Sequence, residues 1–351
     1  MGAHIFDTIY PADSVEFCPD SETSDILVCG TYKLLQSLAS DATSNQQRVG
    51  QCLVYRWSSD KSIHAVKIQE VDLPAVLDMK WCHTNSSRNP ILGIADSEGN
   101  VSLHEWSREE SRLQKKTSTQ VALSSETLCL SLDWSDRRHP GSGLGRVIVS
   151  LSNGSLCVLD PHSHGLEKGY SWHAHDFEPW IAAWDYWDPN VVFSGGDDLK
   201  LKAWDIREEP SSPVFVNKRF DAGVTTIQSH PYVEHLIAVG SYDSRVRLLD
   251  VRKPQVPLVE TDVGGGVWRV KWHPAEKRKS DLLVACMHDG FKVVHIESQD
   301  SLPSAGQIVR RYDEHESLAY GVDWSFGGDK NGETVVASCS FYDHSLHMWS
   351  A

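Results

Sequence analysis

Residues 194–205 read SGGDDLKLKAWD: a Gly/Ser-Asp turn follows an apolar run, and a second run ends in Trp-Asp. The same pattern recurs along the chain. The other copies are 93–106 (GIADSEGNVSLHEW), 149–160 (VSLSNGSLCVLD), 238–250 (AVGSYDSRVRLLD), 284–296 (VACMHDGFKVVHI) and 337–349 (ASCSFYDHSLHMW). A repeat at this spacing indicates one supersecondary unit per copy, and such units bury their apolar faces by stacking on their neighbours.

Seven inner strands align on one position, which holds Phe17, Trp81, Trp134, Trp187, Ser229, Trp272 and Trp324. Their spacings run from 42 to 64 residues, close to the ~40–45 residues of a four-stranded propeller blade plus loop insertions. One of the loop insertions is the polar stretch 38–49, which we interpret as a loop of the first blade. The sequence therefore predicts an all-β, seven-bladed propeller with blades near 14–72, 75–120, 128–172, 180–218, 224–262, 266–311 and 320–349.

The two ends of the chain predict how the ring closes. The last copy stops at Trp349, on its third strand, with two residues left. Residues 5–10 form a leading strand before the first copy and have no blade of their own. Pairing this segment with the last blade removes an exposed strand edge. We therefore expect a single WD-repeat domain, 1–351, whose last blade is closed by an N-terminal strand.

Composition limits the classes of function. Lys and Arg number 33 against 48 Asp and Glu, so the formal net charge is −15, which disfavours nucleic-acid binding. No apolar run reaches the ~20 residues of a membrane span, and the first residues lack the features of a signal peptide. Eight cysteines without a CxxC pair indicate buried free thiols. These features predict a cytoplasmic protein.

Several polar residues of the repeat have a structural interpretation. In WD-repeat proteins a His before a blade, an Asp in the turn after its second strand and a Trp ending its third strand form a hydrogen-bonded set. By resemblance to that set, structural roles are predicted for two groups of residues. They are His175, Asp197 and Trp204 in blade four, and His315, Asp343 and Trp349 in blade seven.

In a propeller, the loops that enter each inner strand and the turns after each second strand open on the same rim. Other residues in these loops and turns suggest a chemical function. The predicted substrate-binding residues are Glu178, Trp180, Asp198, Tyr242, Trp268, Tyr320 and Tyr342. Aromatic faces around a carboxylate suit a quaternary ammonium group. His288 and His344 lie on the same rim, and an imidazole there can act as a general base toward water. The chain lacks GxSxG, HExxH, P-loop and GxGxxG motifs.

Longer stretches carry a more specific resemblance. They are LDMKWCH (77–83), LSLDWS (130–135), WIAAWDYWDP (180–189), SGGDD (194–198), GSYDS (240–244), GGVWRVKWHP (265–274), ACMHDGFK (285–292) and SFYDHSLHMW (340–349). These resemble the WD-repeat methylesterases of eukaryotic diphthamide synthesis. The resemblance implies hydrolysis of diphthine methyl ester on translation elongation factor 2, which releases methanol and leaves diphthine for amidation to diphthamide. It implies no cofactor, and it suggests other proteins of the diphthamide pathway as further partners.

Three alternatives stay open at this point. In the first, His288 and His344 transfer protons during direct attack by water, and the aromatic residues hold the trimethylammonium group. In the second, the chain is a non-catalytic adaptor that presents its rim to protein partners. In the third, His173 and His175 bind a metal ion for a metal-dependent hydrolysis. We favour the first, a protein methylesterase without a metal.

Overall fold

The fold is seen in a computed structural model of the chain, which describes residues 3–35, 47–59, 62–83, 88–124, 126–138, 140–141, 143–300, 302–327 and 332–351. Most of the stretch 38–49 therefore lies outside the described residues. In the part described, strands dominate, and the single helical element is one 3₁₀ turn, Glu276–Arg278. The strands form seven antiparallel sheets arranged as the blades of a propeller, as predicted. No helix among the described residues has the length and apolar character needed to cross a membrane.

The strands of the N-terminal half follow in chain order. The leading strand is β1 (His4–Asp7). Blade one holds β2 (Ala12–Phe17), β3 (Ile26–Thr31), the short β4 (Lys33–Leu34), β5 (Arg48–Ser58) and β6 (His64–Pro74). Blade two holds β7 (Val76–Trp81), β8 (Ile91–Asp96), β9 (Asn100–Ser107) and β10 (Arg112–Gln120). Blade three holds β11 (Cys129–Trp134), β12 (Val147–Leu151), β13 (Ser155–His162) and β14 (Gly165–His173).

The second half repeats the arrangement. Blade four holds β15 (Ile181–Trp184), β16 (Val191–Gly195), β17 (Leu201–Asp205) and β18 (Phe215–Asn217). Blade five holds β19 (Val224–Ser229), β20 (Leu236–Ser241), β21 (Arg245–Asp250) and β22 (Val259–Asp262). Blade six holds β23 (Arg269–Trp272), β24 (Asp281–Ala285), β25 (Phe291–Gln299) and β26 (Leu302–Tyr312). Blade seven holds β27 (Ala319–Trp324), β28 (Val335–Ser340) and β29 (Ser345–Ser350).

The N-terminal strand completes blade seven. β1 pairs antiparallel with β29, with His4 opposite Met348 and Asp7 opposite Ser345. Phe6 turns inward and packs its ring 4.8 Å from that of Tyr55 in blade one. Because β1 covers the free edge of β29, the ring closes through ordinary ladder hydrogen bonds, and this confirms the predicted closure.

Tryptophans at the ends of the inner strands join neighbouring blades. The Trp134 indole nitrogen donates to the Lys80 carbonyl oxygen at 2.9 Å, and that of Trp184 donates to Asp133 at 3.1 Å. In blade four the aligned residue is therefore Trp184, three residues before the Trp187 that the sequence alignment used. Trp187 lies in the following loop, where its indole donates to the His230 carbonyl oxygen.

Bulges near the start of several inner strands shape the channel. The ladder between β2 and β3 shifts register between Ala12 and Ser14, which leaves Asp13 as the extra residue. The ladders of β7, β11, β19 and β27 shift at the corresponding place. A bulge bends its strand and re-aims the extra side chain. The residues at this height therefore face the mouth of the channel.

Candidate functional site

The hydrogen-bonded set of blade four differs from the prediction in one residue. His175 contacts the Asp198 carboxylate at 2.8 Å through Nδ1 and the Ser194 hydroxyl at 2.7 Å through Nε2. The Trp204 indole donates to the same hydroxyl at 2.9 Å. The structural carboxylate is thus Asp198, and the assignment of Asp197 to this role is wrong. Asp198 is correspondingly absent from the residues that line the cavity described below.

In blade seven the hydrogen-bonded set contains an additional residue, Ser340, between His315 and Asp343. His315 Nε2 contacts the Ser338 hydroxyl at 2.8 Å, and the Trp349 indole donates to that hydroxyl at 3.0 Å. His315 Nδ1 contacts the Ser340 hydroxyl at 2.6 Å, and Ser340 in turn donates to Asp343. Burial lowers the pKa of His315 to about 2. A neutral ring held on both nitrogens is a structural element.

A cavity of about 390 Å³ opens at the mouth of the channel, and we call it the central cavity. Its volume is in the range of small-ligand sites. Its lining residues are Asp13, Tyr32, Leu77, Leu128, Leu130, Ser152, Glu178, Trp180, Tyr242, Trp268, Arg269, Tyr320, Phe341 and Tyr342. Six of the seven predicted substrate-binding residues are among them, and Asp198 is the exception.

Aromatic rings form a continuous wall on one side of the central cavity. The ring of Trp268 lies 5.7 Å from that of Trp180, 6.0 Å from Tyr242 and 4.8 Å from Tyr320. Phe341 continues the wall at 5.0 Å from Tyr320. The rings are tilted to one another rather than stacked, and all five residues line the central cavity. Such an arrangement suits a cation without hydrogen-bond donors.

A hydrogen bond orients one of these rings, and burial raises the pKa of two of the phenols. The Trp180 indole donates to Asp197 Oδ1 at 2.7 Å, which sets the orientation of that ring. Burial raises the pKa of Tyr242 and of Tyr320 well above the usual phenol value. Both hydroxyl groups therefore stay protonated at neutral pH and are available as hydrogen-bond donors.

Two carboxylates and one guanidinium reach the central cavity. Glu178 comes from the loop that leads into β15, and Asp13 and Arg269 come from inner strands. Asp13 is buried, and burial raises its pKa to about 8, with Asp78 adding to the increase and Arg269 opposing it. Arg269 is compensated by Asp78, which lies 3.2 Å from its guanidinium.

Three lining residues that were not predicted from the sequence, Asp13, Leu77 and Leu130, share one position in the repeat. Six lining residues stand four places before the aligned inner-strand position, and the seventh residue at that position is Thr225. We call these seven residues the cavity ring: Asp13, Leu77, Leu130, Trp180, Thr225, Trp268 and Tyr320. Reading that column of the alignment identifies the ring from the sequence. Leu77 and Leu130 give it an apolar side, and Asp13 is its one carboxylate.

Below the cavity ring the channel is filled by ion pairs. The Lys271 ammonium lies 2.6 Å from Glu16 and 3.5 Å from Asp323, and Lys80 lies 3.3 Å from Glu16. All four side chains are largely buried. The paired charges therefore form a polar floor beneath the central cavity.

The two predicted catalytic histidines lie on the rim but not in the central cavity. His288 lines a second depression of about 580 Å³, the outer groove, together with Arg311, Asp313 and Glu316. His344 sits in the turn between β28 and β29 with a φ of 54°, and its carbonyl oxygen accepts a hydrogen bond from the Thr8 amide. Neither imidazole is among the described residues that line the central cavity. The assignment of both as catalytic residues therefore loses its geometric support, and their role in proton transfer stays a prediction.

The alternative of a metal at His173 and His175 conflicts with the hydrogen bonding of His175. Both ring nitrogens of His175 are engaged, by Asp198 and by Ser194. Within the part of the chain that the structure describes, no group of three or more His, Cys, Asp or Glu side chains is arranged to hold a metal ion.

Seven blades, a closing N-terminal strand and the His–Ser–Trp hydrogen-bonded sets define a WD-repeat β-propeller with an aromatic cavity at its mouth. A chain in the crystal structure of the mitotic checkpoint complex superimposes with a TM-score of 0.69 at 15% identity, covering 99% of this chain and 91% of that one. At that identity the likeness concerns the fold alone. No protein-family model matches the chain.

Sequence relatives identify the family. The human protein named diphthine methyltransferase is 39% identical over 91% of this chain and 74% of its own length. The Dictyostelium discoideum diphthine methyltransferase homolog is 36% identical over 97% of this chain and 96% of its own length. The Schizosaccharomyces pombe diphthine methyltransferase is 33% identical over 97% of this chain and 95% of its own length. The chain belongs to the diphthine methyltransferase family, which agrees with the resemblance to proteins of diphthamide synthesis.

Proposed function

We propose that this protein hydrolyses the methyl ester of diphthine methyl ester on translation elongation factor 2 and releases methanol and diphthine. The family places the chain in the diphthamide pathway. The single observation that supports the substrate is the central cavity, where Trp180, Trp268 and Tyr320 stand near Glu178 and Asp13. The protein substrate would be the modified elongation factor.

The cavity matches the chemistry of the modified side chain. A trimethylammonium group has a positive charge but no N–H donor, so aromatic faces and nearby carboxylates are its natural partners. Each ring contact contributes about 0.5–2 kcal/mol, more when water is excluded. The ester of the same side chain requires an activated water and donors for the developing oxyanion. The protonated hydroxyl groups of Tyr242 and Tyr320 can supply such donors.

The names of the relatives favour a second candidate, transfer of methyl groups to diphthine. The two reactions change the mass of the elongation factor in opposite directions. Hydrolysis removes about 14 Da, the difference between CH₃ and H, and needs only water. Methyl transfer adds the same mass and requires a sulfonium methyl donor.

The test uses the purified chain and elongation factor 2 bearing the methyl-esterified side chain, with and without S-adenosylmethionine. We expect a mass loss of about 14 Da and an equal amount of methanol in both samples, because water is the acceptor. In a parallel reaction the acceptor is elongation factor 2 bearing diphthine without the ester, and a gain of about 14 Da that requires S-adenosylmethionine supports methyl transfer instead. Binding of the substrate without any change of mass contradicts both reactions and supports the adaptor alternative.

A matched control separates the cavity from the outer groove. Arg311 lies in the outer groove, where its guanidinium contacts Asp289 at 2.7 Å. Replacing Arg311 with Gln leaves the central cavity intact, whereas replacing Trp268 removes the ring at its centre. Loss of hydrolysis in the Trp268 variant with retention in the Arg311 variant assigns the reaction to the central cavity.

A further inference from the structure

We propose that Asp13 is the general base that activates water for ester hydrolysis in the central cavity. This inference rests on the proposed function and names a catalytic group for it. Asp13 lies on the cavity wall, opposite Trp180 in the ring order and two blades from Trp268. A general base must stand beside the reacting water, within the same volume as the substrate.

The position of Asp13 follows from the strand that carries it. Asp13 is the extra residue of a bulge at the start of β2, while its neighbours Ala12 and Ser14 stay in register with β3. In the other blades the corresponding residues of the cavity ring are Leu77, Leu130 and Tyr320. The bulge therefore presents a carboxylate at a height where the other lining residues of the ring are apolar or aromatic. Its side chain is held by backbone geometry and can stay in place as substrate enters.

The surroundings of Asp13 favour a base with an elevated proton affinity. Asp78 and Arg269 act on it from blades two and six, Cys29 is close in blade one, and Tyr242 and Tyr320 face it from blades five and seven. Burial is the largest influence and raises the pKa of Asp13 to about 8. A general base is most effective when its pKa lies near the working pH.

In the proposed step Asp13 acts first as a base and then as an acid. The Asp13 carboxylate takes a proton from water while the water oxygen bonds to the ester carbonyl carbon, and the carbonyl π electrons move to its oxygen. Collapse of the tetrahedral intermediate breaks the bond to the methoxy oxygen. Asp13 returns its proton to that oxygen, and methanol leaves. The acid product then loses a proton to solvent, so one ester and one water give a carboxylate, methanol and a proton.

A bound trimethylammonium group changes the titration of Asp13. The positive charge favours the carboxylate, so the pKa of Asp13 falls when substrate occupies the cavity. Because kcat/KM reports the free enzyme and kcat the complex, kcat/KM should rise with pH and level off near pH 8. The kcat profile should level off at a lower pH. Attack by free hydroxide gives no plateau, so the plateau identifies a group on the protein.

The experiment compares the wild-type chain with Asp13→Asn and Asp13→Glu on methyl-esterified elongation factor 2. We expect methanol release by Asp13→Asn to fall by about 10²-fold or more, and the plateau to disappear. Asp13→Glu keeps a carboxylate and should retain more activity than Asp13→Asn, with a plateau. Cooperative thermal unfolding and the near-UV circular dichroism spectrum of each variant report whether it has folded.

The outcomes separate the two proposals. Wild-type hydrolysis that persists in a folded Asp13→Asn variant overturns the role of Asp13 and leaves the hydrolase intact. A wild-type chain that releases no methanol overturns the hydrolase and with it the base. If Asp13→Asn fails to fold, a wild-type kcat/KM that climbs without a plateau up to pH 9.5 (about 1.5 units above the expected pKa) overturns the role of Asp13.

Discussion

The indole nitrogen of Trp180 and the carboxylate of Asp197 are joined by a 2.7 Å hydrogen bond across the turn of blade four. Asp197 precedes Asp198, whose carboxylate holds His175. Two consecutive acidic residues therefore serve different purposes: one stabilises the blade, and the other orients a ring of the central cavity. The pair allows stability and ligand binding to be tested separately.

Orientation of Trp180 should depend on Asp197 as an acceptor. We expect Asp197→Ala to weaken binding of tetramethylammonium by about 3- to 10-fold, because a freely rotating indole offers its face less often. Asp197→Asn keeps a side-chain oxygen and should bind within about twofold of wild type. Isothermal titration of both variants measures the difference. Equal affinities for all three proteins would show that Asp197 does not position the ring.

Trp268 touches three of the other rings and should dominate cation binding. We expect Trp268→Leu to lower the affinity for tetramethylammonium by about 10-fold, equivalent to about 1.4 kcal/mol. A neutral ligand of the same shape, such as 3,3-dimethylbutanol, should bind more weakly than choline to the wild type. If both ligands bind equally, the cavity recognises shape and not charge.

The two rim imidazoles should be dispensable for hydrolysis. His288 faces the outer groove, and His344 lies in a turn outside the central cavity. We expect His288→Ala and His344→Ala to keep methanol release within about threefold of wild type, since a true general base contributes 10²-fold or more. Initial rates at saturating substrate measure this. A loss of about 10²-fold in either variant restores the role that the sequence suggested.

Blade four should lose stability when its structural carboxylate is changed. Burial favours the neutral acid, but the His175 hydrogen bond and the nearby Lys202 and Lys200 outweigh it and lower the pKa of Asp198 to about 2. We expect Asp198→Asn to lower the free energy of unfolding by about 1–3 kcal/mol at neutral pH. Because the pKa of Asp198 is lower in the folded protein than in the unfolded chain, its carboxylate stabilises the fold at a pH above the unfolded pKa. This stabilisation disappears as the pH falls through about 2. Chemical denaturation should therefore show that the difference in the free energy of unfolding between wild type and Asp198→Asn becomes smaller as the pH falls from 7 to 2.5 (about the range in which the carboxylate takes up a proton). Asp197→Asn serves as the control.

Asp13 should have the opposite effect on stability. Its pKa is raised by burial from 3.8 to about 8, so the folded state binds the proton more tightly than the unfolded chain. The wild type therefore loses stability as the pH rises from near 4 to near 8, by about 1.4 kcal/mol for each unit of pKa difference at most. We expect Asp13→Asn to melt at a higher temperature than wild type at pH 8 and at a similar temperature near pH 4. A variant that is less stable at both values would contradict the raised pKa.

The sequence predicted the propeller because the repeat determines strand order. Apolar runs, turn residues and a leftover N-terminal strand indicated seven blades and their closure, and the pairing of β1 with β29 agrees. The alignment failed in blade four, where Trp184 and Trp187 are both present and only the hydrogen bond to Asp133 selects Trp184. Choosing Trp184 also brings Trp180 into the column of the cavity ring.

Asp198 and Asp13 could have been identified by counting residues. Asp343 lies six residues before Trp349, and the same count from Trp204 gives Asp198 rather than Asp197. Asp13 stands where Trp268 and Tyr320 stand in their blades. The surroundings of Asp13 cannot be predicted by counting residues. Only the structure shows that a bulge turns Asp13 toward the cavity and that burial raises its pKa.

The pairing of β1 with β29 also determines how the ring responds to tension. His4 lies opposite Met348, so the N-terminal end of β1 and the C-terminal end of β29 are at the same end of the ladder. A force pulling the two termini apart would load these hydrogen bonds one after another, as in unzipping, rather than all together in shear. The ring therefore has a mechanically soft seam at blade seven, and opening that seam separates Phe6 from Tyr55 before any other blade is disturbed.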